Sequence, residues 1–97
     1  MELKELYIQN KNATSLDLKN RNFSDAFQIF KELEKFKELI DLDLQGNNFE
    51  ILPNDMSRLL RLRTLDITNN PLINVNLYSS LLVRKNKFEL SNNSALN

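Results

Sequence analysis

Leu39-Ile40-Asp41-Leu42-Asp43-Leu44-Gln45-Gly46-Asn47-Asn48-Phe49 and, 23 residues further on, Leu62-Arg63-Thr64-Leu65-Asp66-Ile67-Thr68-Asn69-Asn70-Pro71-Leu72 are one pattern written twice. Each copy has apolar residues at its first, fourth, sixth and eleventh positions, an acid at the fifth and an asparagine at the ninth. An apolar pair two residues apart places both side chains on one face of a strand and the residue between them on the other. A unit this short cannot bury its apolar face alone. Copies must therefore stack, strand beside strand, into a parallel sheet.

The same pattern extends in both directions. Leu16-Asp17-Leu18-Lys19-Asn20-Arg21-Asn22-Phe23 stands 26 residues before the copy at Leu42, and Phe88-Glu89-Leu90-Ser91-Asn92-Asn93-Ser94-Ala95 stands 23 after the copy at Leu65. In these outer copies Ala13 and Lys85 replace Leu39 and Leu62, and Arg21 replaces the asparagine found as Asn47, Asn70 and Asn93. After the strand of the second copy, Phe49, Leu52, Pro53, Met56, Leu59 and Leu62 mark a return path.

This repeat resembles the leucine-rich repeat family, whose L-x-x-L-x-L-x-x-N-x-L unit recurs every 20–29 residues. The segment 49–62 resembles the convex half of the family's 23-residue subtype. The resemblance covers about residues 13–97. It implies an α/β fold, a solenoid wound as a right-handed β-α superhelix, with a parallel concave sheet and short convex segments. It also implies structural roles for Asn47, Asn70 and Asn93, whose side chains would bond the backbone leaving each strand and run on as a ladder. A single domain, 1–97, is expected: a cap strand at 1–12, repeats at about 13–38, 39–61 and 62–84, and a partial repeat at 85–97.

Two segments depart from the 23-residue norm. Ser24-Asp25 precedes Ala26, Phe27, Ile29, Phe30, Leu33 and Phe36, an apolar stripe at helical spacing. The three extra residues of this repeat predict a true helix over about 24–37, N-capped by Ser24 or Asp25. Lys31, Glu32, Glu34, Lys35, Lys37 and Glu38 would form its solvated face, with Glu34 and Lys37 a favourable i,i+3 pair. The second convex segment, 53–61, reads as a turn or short helix. Upstream, Leu3, Leu6 and Ile8 read as a further strand; only 10 residues separate Leu6 and Ile8 from Leu16 and Leu18. That is too short for a full turn of the stack, so the segment is expected to cap the first strand through a turn at Asn10-Lys11-Asn12.

Strand alternation sorts the outward residues into columns about 4.8 Å apart. The central column is Asp17, Asp43, Asp66 and Glu89, acidic in every copy. Beside it run Lys19, Gln45, Thr68 and Ser91 on one flank and Ser15, Asp41, Thr64 and Lys87 on the other. The expected partner-binding residues are therefore Asp17, Asp41, Asp43, Asp66 and Glu89, with Gln45 and Thr68. The partner they fit is another protein offering a basic segment. The competing reading is that these acids belong to the repeat itself and are merely solvated.

Composition narrows the chemistry. Thirteen Lys+Arg balance thirteen Asp+Glu, and the chain has no Cys, no His, no Trp and a single Gly. Disulfides, thiolate metal sites, Cys or His catalysis and glycine-rich phosphate loops lack their raw material. No catalytic residue, metal site or cofactor is expected, and the chain reads as a non-enzyme. Zero net charge speaks against nucleic acid; the cluster Arg84-Lys85-Asn86-Lys87 reads as a solvated loop. No run approaches the roughly 18 apolar residues of a membrane span, and Met1–Glu5 does not resemble a secretory signal. Three Asn-x-Ser/Thr triplets are unsurprising among fifteen Asn. An intracellular, cytoplasmic location follows as the expectation. Tyr7 and Tyr78 are further candidate anchors, and Leu81-Leu82-Val83 includes candidate core positions.

After Phe88–Leu90 only seven residues follow. On this reading the last repeat lacks its convex half, and a partner or second copy is expected to cap the C-terminal edge. Two functions are thus in view: an interaction module or adaptor using its concave sheet within an intracellular complex, or a structural subunit of a ciliary, ribonucleoprotein or mitochondrial assembly held through its uncapped ends.

Overall fold

Ser15-Leu16-Asp17, Asp41-Leu42-Asp43 and Thr64-Leu65-Asp66 become strands of a parallel sheet. A computed structural model describes residues 3–53, 56, 58–73 and 89–90. Its elements are α1 (Leu3–Gln9), β1 (Ser15–Asp17), α2 (Ala26–Leu33), β2 (Asp41–Asp43), β3 (Thr64–Asp66) and β4 (Glu89–Leu90). The strands lie in chain order, β1-β2-β3-β4, all parallel. Among the described residues the fold is small and mixed α/β, with two helices and this one sheet.

Leu16, Leu42 and Leu65 sit side by side in register and point inward, each 7% exposed or less. Leu18, Leu44 and Ile67 form a second row just beyond the strands, at most 1% exposed. Ladder bonds carry past the strand ends, as Leu18 N–H donates to Asp43 O at 2.8 Å and Leu44 N–H to Asp66 O at 2.8 Å. Leu39, Phe49, Leu52, Met56, Leu59 and Leu62 close the core behind the sheet. Around 53–61 the described residues form turns rather than a helix, tied by Leu59 N–H to Met56 O at 3.1 Å.

The N-terminal segment is a helix, not the cap strand expected at 1–12. Leu6 and Ile8 are two apart, as in a strand, but Leu3, Leu6 and Tyr7 are spaced i, i+3 and i+4, as on one helix face. The helix wins because it directs all three inward and surrenders one residue. Leu3 is buried, Leu6 and Tyr7 pack on the core, and Ile8 is 69% exposed. Tyr7 is thus not a free interface anchor: its ring meets Phe36 edge-on, centroids 5.2 Å apart. The helix packs against α2. Its last turn closes through Asn10, whose N–H and Nδ2 both donate to Leu6 O.

α2 is shorter than the 24–37 expected. Asp25 is its N-cap, accepting from Gln28 N–H at 3.3 Å, and Ala26, Ile29, Phe30 and Leu33 are its buried stripe. The last α-helical bond is Glu34 N–H to Phe30 O at 3.0 Å, and tighter i→i−3 bonds follow, Lys35 N–H to Glu32 O and Phe36 N–H to Leu33 O. An i,i+3 step fits either geometry, so Phe36 continues the apolar stripe without continuing the helix. The Glu34–Lys37 helical pair therefore does not form as expected. Glu34 and Glu38 instead face Arg58 at 4.0 Å and Arg61 at 3.1 Å in the neighbouring repeat.

One repeat position carries a conformational demand. Asn20, Gly46 and Asn69, each two residues beyond the inward row, have φ of 55°, 67° and 61°. These residue types enter the left-handed region at least cost. A methyl group on Gly46 would also run into the side-chain oxygen of Asn20. Gly46→Ala should lower unfolding free energy by about 1–2 kcal/mol in urea titration.

Candidate functional site

The sheet's outward face carries Ser15, Asp17, Asp41, Asp43, Thr64 and Asp66, all exposed or half-buried, alternating with the buried leucines. Register aligns Asp17 with Asp43 and Asp43 with Asp66, and it places Asp41 between Ser15 and Thr64. The four Asp residues border one shallow open depression of about 200 Å³ whose floor includes Leu16 and Leu42.

Glu89 does not continue the central column. β4 pairs Leu90 with Leu65 and Glu89 with Thr64, a spacing of 25 residues where 23 was expected, so Glu89 falls in the column of Ser15, Asp41 and Thr64. The physical reason is parity. A one-residue slip would invert the strand's faces, whereas a two-residue slip preserves them and leaves the apolar alternation satisfied. Asn93, Phe88, Ser91, Tyr78, Leu81–Val83 and the basic cluster 84–87 lie outside the described residues.

Each central Asp does a local job as well. Asp17 Oδ1 accepts the N–H of Lys19 at 3.1 Å, Asp43 Oδ1 that of Gln45 at 3.1 Å, and Asp66 Oδ1 that of Thr68 at 3.0 Å. These are Asx turns, formed by a short side chain that reaches the backbone two residues on. They close each strand and aim the chain toward the left-handed residue that follows. The same three partners add side-chain contacts: Gln45 Nε2 to Asp43 Oδ2 at 3.3 Å, Thr68 Oγ1 to Asp66 Oδ1 at 2.5 Å, and Lys19 Nζ 3.6 Å from Asp17 Oδ2. Gln45 and Thr68, expected to touch a partner, thus already hold the acids beside them. Asp41 accepts from Thr64 Oγ1 at 2.6 Å.

Electrostatically the stripe is uneven. Lys19 also lies 3.8 Å from Asp43 Oδ2, so its ammonium straddles the β1–β2 end. Across β1–β3, the carboxylates of Asp17, Asp41, Asp43 and Asp66 against this one ammonium leave a local charge of −3. Asp17 retains a side-chain exposure of 67% despite its ion pair. Exposed pairs at such distances contribute little, roughly 0–1 kcal/mol, and are readily exchanged for a partner's cation.

The asparagines lie under this face. Asn47 is 3% exposed; its Nδ2 donates to Leu18 O at 3.0 Å and Leu44 O at 2.9 Å, and its Oδ1 accepts from Arg21 N–H at 3.0 Å and Phe23 N–H at 3.1 Å. Asn70 repeats this one strand on, donating to Leu44 O and Ile67 O and accepting from Phe49 N–H at 3.1 Å. Each asparagine therefore ties its own repeat to the preceding one. Arg21 needs no amide in its place, since no earlier strand lies beside β1 among the described residues. In the exposed loop Asn48 Nδ2 donates to Asn22 Oδ1, a second asparagine bridge between repeats.

Sequence reasoning missed the Asx turns and the left-handed positions. Both had a signal: Asp rather than Glu at 17, 43 and 66, and Asn, Gly, Asn at 20, 46 and 69. Among the described residues no cluster of His, Cys, Asp and Glu could hold a metal ion, and no helix is long and apolar enough to cross a membrane. No family model, curated protein or solved structure matches the chain.

Proposed function

We propose that the chain is a leucine-rich-repeat solenoid whose concave sheet docks another protein through a basic segment, without catalysis. The observation that carries this reading is the registered column Asp17, Asp43, Asp66 with Asp41 beside it, a net negative strip on a face that no other described element covers. Parallel strands bring the carboxylates to about 4.8 Å from one another, and like charges placed directly side by side weaken a sheet. A partner's Lys or Arg residues would offset that repulsion. The repeat in sequence, the buried Asn47 and Asn70 and the single parallel sheet support the solenoid.

The Asx turns dictate how to test it. Substituting Lys would remove charge and turn together. Asp17→Asn, Asp43→Asn and Asp66→Asn in one chain keep an oxygen acceptor for each N–H and delete three charges. The triple variant should melt within about 1 kcal/mol of wild type. Proteins co-purifying with the tagged wild-type chain and quantified by mass spectrometry should fall about tenfold or more, since three lost charge contacts of about 0.5 kcal/mol each reach one decade. Unchanged recovery with the triple variant would overturn the concave-docking reading and leave the acids as turn formers alone.

A further inference from the structure

We draw no further inference here: the strongest candidate, the groove between α1 and α2 bordered by Leu3, Lys4, Phe23, Gln28, Ile29 and Glu32, carries nothing because no feature of the structure shows what covers it.

Discussion

Asn47→Ala should cost about 3 kcal/mol of unfolding free energy, although it removes only a few atoms. The substitution leaves two N–H groups, of Arg21 and Phe23, and the carbonyl of Leu18 without the amide that serves them, while Leu44 O keeps its bond from Asn70 Nδ2. Each orphaned backbone group costs roughly 1–3 kcal/mol when water cannot replace the partner. The low end of that range applies at Arg21, which is exposed, and at Phe23, which is half-buried. A chain of this size has about 5–15 kcal/mol in total, so the loss is a large share. The melting temperature should fall by about 12–24 °C. Asn47→Asp should be at least as damaging, because it keeps the acceptor but turns a carboxylate oxygen toward the carbonyls of Leu18 and Leu44. Asn48→Ala is the matched control: the neighbouring amide is exposed and bonds only another exposed amide, so the expected cost is about 0.5 kcal/mol. Urea titrations of the three variants measure this directly. An Asn47→Ala variant within 1 kcal/mol of wild type would show that the ladder does not hold the repeats together.

The parts of the fold legible from sequence are those in which one pattern admits one geometry. Leu42, Asp43 and Leu44 alternate with period two and recur as Leu65, Asp66 and Ile67, and no helix can bury both rows while exposing the acids. The outward placement of Asp17, Asp43 and Asp66 was readable for the same reason. Where a pattern admits two geometries, sequence alone left the choice open. Leu3, Leu6 and Ile8 satisfy a strand through their last two members and a helix through their first two. Tyr7, set aside as a possible interface anchor, is the residue that decides between them. Phe36 lies at a spacing common to an α-helix and to the tighter turn that replaces it. Leu90 can pair with Leu65 or, two residues off, with Ile67, and side-chain parity is blind to the difference.

The site shows a related ambiguity, between what an acid does for its own chain and what it offers to another. Asp17, Asp43 and Asp66 do the first, and under the proposed docking they would do the second as well. Their Oδ1 atoms are engaged by backbone N–H groups, which accounts for Asp at this position with no partner at all. Charge, however, is not needed for that role, since an amide oxygen accepts the same hydrogen bond. The repeat could use Asn here, as it does two residues beyond the inward row at Asn20 and Asn69 and again at Asn47 and Asn70. The presence of three charged residues in adjacent strands, despite their repulsion, is what the turn leaves unexplained and what docking of a basic segment would explain.

Phe49→Ala should be the most damaging single truncation, at about 3–5 kcal/mol. Phe49 is fully buried where the second repeat leaves the sheet, and its ring stands edge-to-face with Phe30 of α2, centroids 6.4 Å apart. It therefore joins α2 to the sheet. Truncation opens a cavity that neither neighbour can fill, because α2 is anchored by Asp25 at one end and by the turn into Phe36 at the other. Phe49→Leu retains most of the volume and should cost about 1.5 kcal/mol. Phe27→Ala, on the outer face of α2 with 62% exposure, should change stability by no more than about 0.5 kcal/mol. A double-mutant cycle of Phe49→Leu with Phe30→Leu isolates the ring contact, with an expected coupling of about 0.5–1.5 kcal/mol. The same cycle between Phe49 and Tyr7, which pairs with Phe36 instead, should be additive within about 0.5 kcal/mol. Coupling at Tyr7 equal to that at Phe30 would mean that the core yields as a whole, and the helix-to-sheet joint would lose its special standing.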